Sequence, residues 1–469
     1  MRPSILSWKN ESLDKLFNAE SIAVIGASDK SEKLGALTLK CLEEFKGRVF
    51  PVNPRLDKIG ELKCYPSITE VNDQVDMAII CLGAHHIIRT LEQCIDAGVR
   101  SAIIFSAGFK ELGPEGEKLQ EKVKETADRG KIAVIGPNCL GAGNVRADLN
   151  ATFFPHPVPP RKGKVSFVSQ SGGVVSLLLY RSADSNLGLS KFASVGNRVN
   201  IDFHDLIRYY RDDPETDVIG LFIEGTGHAR EMAEEIAKTT PDKPVVVFKV
   251  GKTPTSKQAA LSHTGSLAGN ADLYSAAIKQ AGGLEVESIQ EMIDAASVLS
   301  ICKARPKGKR VAVITHSLGI ALIAAQTLEL HGAELPMPDN ETVEVVQGLL
   351  DMPVEIPVKN PIDLLAKGWA EPRVFAEAFK HVVQSDTYDA VLTVFSPNYQ
   401  EGIGGGMPVD EVVSAAKKAD KPVVSVLNSP ADRKPPGREE LEDGGIPFFA
   451  SPQRAGRALA TVLRLASKK

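Results

Sequence analysis

The chain has 469 residues, 43% hydrophobic and 24% charged, with 39 Gly and 29 Pro, an ordinary globular composition with room for roughly three domains. A net charge of −4 with no basic run leaves no footprint for a nucleic-acid partner, and no stretch approaches the ~18 apolar residues of a membrane span. The start, MRPSILSWKN, lacks a secretory pattern, and the six cysteines (41, 64, 81, 94, 139, 302) are scattered, so a cytoplasmic protein with buried thiols and no disulfide framework is expected.

Along the chain, strand, Gly-bearing turn and helix recur. SIAVIGAS (21–28) reads as a buried strand breaking into a turn, LGALTLKCLEEF (34–45) has helical period, and GRVFPVNP (47–54) is the next strand. VDMAIICLG (75–83), RSAIIFSAGF (100–109) and IAVIGPNCLG (132–141) follow with room for a helix between each. Short apolar runs alternating with helices imply a parallel sheet covered on both faces. FFPHPVPPRKG (153–163) is a Pro-rich break, after which GKVSFVSQSGG (163–173), LSKFASVGN (189–197), DVIGLFIEG (217–225) and PVVVFKVG (244–251) repeat the pattern. KARPKGKR (303–310) reads as a second linker, and KRVAVITHSLG (309–319), YDAVLTVFSPN (388–398) and KPVVSVLNSP (421–430) build a third unit. The expected architecture is α/β, with three successive Rossmann-like or flavodoxin-like domains and mostly parallel sheets, over 1–150, 151–303 and 304–469.

Each strand ends in Gly, Ser, Asn or Pro, which puts the unusual backbone at the carboxyl ends, where doubly wound folds bind ligands. Gly26, Ala27 and Ser28 form a turn whose following helix start would face a phosphate, with Lys33 close by. The second strand ends in Asn53, where a nicotinamide site would place Asp or Glu, so a nucleotide-like ligand is expected and a dinucleotide redox cofactor is not. Ser171, Gly172 and Gly173 stand at a helix N-terminus, where about half a positive charge and free N–H groups favour an anion. Glu224 closes another strand of the same domain. The loop SHTGSLAG (262–269) presents one imidazole, His263, among hydroxyls and glycines. No second His or Cys stands at metal-ligand spacing, so no metal site is expected there. A carboxylate such as Glu224 could hold one ring nitrogen of His263 and leave the other as nucleophile. In the third unit, Thr315-His316-Ser317-Leu318-Gly319 is close to the Gly-x-Ser-x-Gly elbow of hydrolases, with Thr in place of the first Gly.

SIAVIGAS, VFPVNPR, SAGF (106–109), GPNCLG (136–141), SQSGG, SVGN (194–197), IEG (223–225) and SHTGSLAG occur in the order found in the NDP-forming acyl-CoA synthetases, which the chain resembles over nearly its whole length. NPIDL (360–364) and GIPFFASPQRAGRALA (445–460) extend the likeness through the third unit. The resemblance implies the alpha subunit of an ADP-forming acid–CoA ligase, related to succinyl-CoA synthetase, working through acyl phosphate and phosphohistidine. It implies His263 as the phosphohistidine, Glu224 as its acidic partner, and Ser171, Gly172 and Gly173 as the phosphate-binding helix start. Gly26, Ala27, Ser28, Lys33, Asn53 and Ser106 would line a coenzyme A site, with Asn138 at the thioester end. The nucleotide, ADP or ATP with Mg2+, would sit on a separate ATP-grasp beta subunit in an α2β2 assembly. Two departures stand out: Cys81-Leu82-Gly83-Ala84 replaces a segment that often carries Pro, and Thr315-His316-Ser317 replaces an Asn-Ala-Gly-Gly turn. The alternatives are a catalytically silent coenzyme A-binding regulatory subunit and a thioester hydrolase using Ser317.

Overall fold

A computed structural model of the chain describes residues 8–156, 159–256, 258, 270–352, 354, 356–397, 406–429 and 435–466. After a helix at Trp8–Phe17 come β1 (Ser21–Ile25), β2 (Arg48–Val52), a small antiparallel hairpin of β3 (Lys58–Ile59) and β4 (Leu62–Lys63), then β5 (Met77–Ile80), β6 (Ser101–Ile104) and β7 (Ala133–Ile135). The first sheet runs β2-β1-β5-β6-β7, all parallel. Every residue of β1, β5, β6 and β7 is buried, as a sheet with helices on both faces requires.

The second sheet contains β8 (Gly141–Asn144), β9 (Leu149–Thr152), β10 (Lys162–Ser169), β11 (Leu189–Ser194), β12 (Val218–Ile223), β13 (Val245–Lys249) and β14 (Leu284–Val286). Its order is β14-β13-β12-β10-β11-β8-β9. β10 to β14 are parallel, and the β8–β9 hairpin is added antiparallel on the free edge of β11. The sequence reading ends the first domain at 150, ahead of the Pro-rich stretch. The sheet instead takes in the chain from Gly141, because the hairpin covers an edge that would otherwise stay unpaired. The third sheet, from β15 (Val311–Thr315), β16 (Ile362–Asp363), β17 (Ala390–Phe395), β18 (Val423–Leu427) and β19 (Phe448–Phe449), runs β16-β15-β17-β18-β19 and is parallel throughout.

Ranked by chain position, the parallel strands of all three sheets stand in the order 2-1-3-4-5, the flavodoxin-like order. Each sheet therefore has its switch point between its first and third parallel strands: β1/β5, β10/β12 and β15/β17. The chain divides into two compact units, Met1–Ile289 and Gln290–Lys469. In the first, one continuous core joins residues of both sheets, among them Ile22, Ile79, Val168 and Leu221. The N-terminal helix adds Phe17, stacked on Tyr209 at 5.3 Å between ring centroids. The division falls at the first residue of the helix Ile289–Ile301, so the rest of that helix belongs to the second unit, ahead of the 303–310 linker. That helix is held there by Arg454 paired with Asp294 at 2.6 Å and Arg457 with Glu291 at 2.8 Å. The cysteines are all free, and burial pushes the thiols of Cys94, Cys139 and Cys302 up to about 12.

Candidate functional site

At the first switch point β1 ends in Gly26, with φ +86°. A Cβ there would lie 2.8 Å from Leu82 and 2.9 Å from the Cys81 carbonyl, so only glycine lets this turn cross the end of β5. The Gly26 and Ala27 N–H groups both donate to the Val52 carbonyl, at 2.9 and 3.2 Å. Asn53 Nδ2 donates to the Ala27 carbonyl at 2.8 Å, while its Oδ1 accepts the Arg55 N–H at 2.9 Å. Ser28 Oγ accepts the Lys30 N–H, and Lys33 is the N-cap residue of the helix Leu34–Cys41 without a side-chain capping bond. Gly26, Ala27, Ser28 and Asn53 are thus one connected turn, and the following helix packs so close that a Cβ on Gly35 would come 2.1 Å from the Gly26 carbonyl.

Ser106 and Asn138 meet further along the same sheet: the Asn138 N–H donates to the Ser106 carbonyl at 2.9 Å, and the Ser106 hydroxyl is buried without a hydrogen-bond partner among the described residues. Asn138 takes φ +57° and its side-chain amide reaches Asn197 Oδ1 at 3.4 Å. The Asn197 N–H donates to the Pro137 carbonyl at 2.9 Å. A Cβ on Gly196 would fall 2.3 Å from that same oxygen. Glu111 completes the knot, taking the N–H groups of Gly108 and Phe109 on one oxygen and the Asn197 amide, at 2.6 Å, on the other. Burial alone would raise its carboxyl, but these donors hold it below the usual range. SAGF, GPNCLG and SVGN are therefore parts of one structure that ties the first sheet to the second.

At the second switch point β10 runs into the helix Gly172–Asp184, whose N-cap residue is Ser171. Gly172 is closely packed, since a Cβ there would stand 3.0 Å from the Cβ of Leu140. Gly173 is not so constrained: its Cβ would meet only Ser171 Oγ, at 4.0 Å. Two consecutive glycines at this helix start leave its N–H groups unscreened by side chains. Across the crevice β12 ends at the buried Glu224. Gln170 joins the two sides, its Oε1 accepting the N–H of Glu224 and of Gly225, both at 3.0 Å. From below, the fully buried Lys249 donates to the Glu224 carbonyl at 2.8 Å and to the Val250 carbonyl, with its ammonium 4.9 Å from the Tyr274 ring centroid. Tyr274 OH bonds both the N–H and the carbonyl of Thr226 at 3.0 Å, and Thr226 Oγ1 donates to Asp202 at 2.8 Å. The Glu224–Thr226 turn is thus fixed by four side chains. Ser171, Gly172, Gly173 and Glu224 thus stand at the carboxyl ends of the neighbouring strands β10 and β12, joined through Gln170, whereas His263 and its whole loop lie outside the described residues.

At the third switch point His316 Nε2 accepts the Ser396 N–H at 3.0 Å and its ring stacks edge-on against Phe395 at 4.6 Å. Burial lowers the imidazole's pKa from its ordinary value. The Ser317 N–H is bound to Thr315 Oγ1 at 2.7 Å. An imidazole that accepts the N–H of Ser396, just past β17, is not the free base a Ser317 nucleophile needs, so among the described residues the hydrolase arrangement finds no support.

Residues 20–144 match a family described as a CoA binding domain, and residues 162–299 a succinyl-CoA ligase like flavodoxin domain. The alpha subunit of acetate–CoA ligase (ADP-forming) II of Pyrococcus furiosus is 35% identical over 457 residues, which span 97% of this chain and 98% of that one. The chain belongs to the ADP-forming acid–CoA ligases. A solved structure of the dinucleotide forming acetyl-coenzyme A synthetase 1 of Ca. Korarchaeum cryptofilum, in complex with phosphate and ADP, superposes on this ligase chain with a TM-score of 0.83 at 31% identity, covering 97% of each. Acetate–CoA ligase (ADP-forming) I of Archaeoglobus fulgidus is 35% identical over 96% of this chain, yet the match takes in only 63% of that longer protein.

Three residues of the ligase chain escaped the sequence reading: Gln170, Lys249 and Glu111. Gln170 stood inside a motif read for its serines and glycines. Lys249 carried a signal, a lysine at the end of an otherwise apolar buried strand, PVVVFK, which calls for a buried partner. Glu111 gave none, since its partner Asn197 is remote in sequence.

Proposed function

We propose that the chain is the alpha subunit of an ADP-forming acyl-CoA synthetase, catalysing acyl-CoA + ADP + phosphate ⇌ acid + ATP + coenzyme A. The observation that carries this reading is the second switch point, where the buried Glu224, its backbone clamped by Gln170 and Lys249, ends the strand beside a helix start opened by two glycines. At the Gly26–Ser28 turn, which Asn53 braces, the Ser28 hydroxyl and the Lys33 ammonium are the donors assigned to the phosphates of coenzyme A, and the buried Ser106 hydroxyl beside Asn138 suits the reactive end. A phosphate oxygen attacks the thioester carbonyl, the C–S bond breaks, and coenzyme A leaves as thiolate. A nitrogen of neutral His263 then attacks phosphorus, the bond to the acyl oxygen breaks, and the acid leaves as carboxylate. Glu224 holds the other ring nitrogen and offsets the charge the ring acquires, while the helix start at Ser171–Gly173 faces the phosphoryl oxygens.

Transfer from phosphohistidine to ADP, with Mg2+, is assigned to a partner subunit of ATP-grasp fold in an α2β2 assembly. Support comes from the longer Archaeoglobus relative, which has more than a third of its length beyond the matched part. Incubation with acyl-CoA and labelled phosphate should label the chain in an acid-labile, base-stable way, and His263→Asn should abolish the label. Persisting label in that variant would sink the assignment. ATP formation should need the partner; robust ATP synthesis by the chain alone would show that the nucleotide site lies within it. Coenzyme A binding with no labelling under any condition would favour the silent regulatory subunit.

A further inference from the structure

The residue immediately before the phosphate-binding helix start is Gln170, only 2% exposed. Its own N–H donates to the Phe222 carbonyl at 3.2 Å, which sets its side chain between the ends of β10 and β12. The orientation of its amide follows from its neighbours: two N–H groups, of Glu224 and Gly225, converge on one atom at 3.0 Å, so that atom is the oxygen. The other end, Nε2, is buried and has no hydrogen-bond partner among the described residues. A buried amide donor left unpaired is costly, and native structures keep few of them without a reason.

The reason offered by this crevice is an anion. Gln170 stands at the end of β10, next to Ser171, the N-cap residue of a thirteen-residue helix, and Gly173 leaves open backbone there that packing does not demand. A tetrahedral oxyanion held at Ser171–Gly173 would place an acceptor within reach of Nε2. We propose that Gln170 serves both sides of the site: Oε1 positions the Glu224 turn, and Nε2 donates to an oxygen of the bound phosphate. This rests on reading the second switch point as the phosphoryl site. It adds a phosphate-binding residue that also reports occupancy of the site to the carboxylate turn, because one rigid amide spans both.

Gln170→Glu separates the two halves of the proposal. The carboxylate keeps an acceptor for the Glu224 and Gly225 N–H groups and puts a negative oxygen where the donor stood. A purely structural Gln170 would tolerate this exchange. With Nε2 on phosphate, the full chain should bind inorganic phosphate about tenfold or more weakly by calorimetry, since a charge-assisted bond is replaced by like-charge repulsion. In the partnered enzyme KM for phosphate should rise by a similar factor with KM for acyl-CoA unchanged. Gln170→Met removes both functions and should weaken phosphate binding as well. A side-chain amide resonance of glutamine that is lost in Gln170→Met should shift when phosphate is added to the native chain, a readout that stands even where Gln170→Glu folds poorly. Equal phosphate affinity in Gln170→Glu and native chain, an unmoved resonance, or no phosphate binding by the native chain would each overturn the proposal. Phosphate binding that depends on Gln170 together with no labelling from acyl-CoA would instead sink the ligase reading and leave this inference standing.

Discussion

Lys249 shows how a single side chain sets a site it does not enter. Its ammonium is fully buried, donates to the carbonyls of Glu224 and Val250, and lies over the Tyr274 ring. A buried charge is tolerated only when hydrogen bonds replace its water, and here two carbonyls and an aromatic face do so. Lys249→Met keeps the length of the stem and strands both carbonyls. At about 1–3 kcal/mol for each buried group left unpaired, a loss of about 2–4 kcal/mol of stability is expected in urea unfolding followed by circular dichroism. An unchanged midpoint would show that the carbonyls find other donors.

At the scale of elements, the joins matter more than the strands and helices themselves. Gly196 has φ +52° and touches the Pro137 and Asn138 carbonyls, at 2.3 and 2.4 Å from where a Cβ would sit. Gly196→Ala therefore carries both a left-handed backbone penalty and an overlap with backbone that cannot swing aside. Together these should cost about 2–4 kcal/mol, seen as a lower denaturation midpoint, while Gly60→Ala, with φ +57° and open space, should lose only the smaller backbone part.

In the second unit the helix Asn340–Leu350 is capped by Asp339, which accepts from the Thr342 N–H and from the hydroxyls of Ser385 and Thr387, all at 2.7 Å. Burial would raise this carboxyl, but the three donors outweigh it and hold it well below the usual carboxylate range. A folded pKa below the unfolded one near ~3.9 contributes stability that is fully present above that value and lost as pH falls toward the folded pKa. Asp339→Ala should cost about 1–2 kcal/mol at pH 7, with the gap to the native chain closing below about pH 4. A pH-independent gap would mean that the charge contributes nothing.

For the whole molecule, two compact units imply that a ligand of one need not stabilise the other. All the residues proposed to bind coenzyme A lie in Met1–Ile289. Calorimetric melting should therefore resolve into more than one transition, with coenzyme A at a hundred times its Kd adding about 2.7 kcal/mol to the first unit alone. A shift of the whole profile by the same amount would show that the units unfold as one. Among the described residues no helix is long and apolar enough to cross a membrane.

The sequence by itself determined the repeating strand–turn–helix order and the long buried strands. Apolar runs such as SIAVI and VIGLFI can be stable only inside a covered parallel sheet. It also marked the turns at β1, β10 and β12, because glycines and hydroxyls at strand ends have no other use in such a pattern. It did not show β8, a strand of sequence GAGN. Glycine has poor strand propensity, and this strand exists because Gly143 lets the Phe192 ring lie where a Cβ would intrude at 2.5 Å. Nor could it show the two-residue edges β16 and β19, too short to carry a period. Tertiary structure alone decided which motifs meet. Pairings such as Asn197 with Glu111 or Gln170 with Glu224 join residues far apart in the chain, and hydrogen-bond partners of that kind leave no local pattern to read. Local chemistry chose the turns; the order of the strands chose their neighbours.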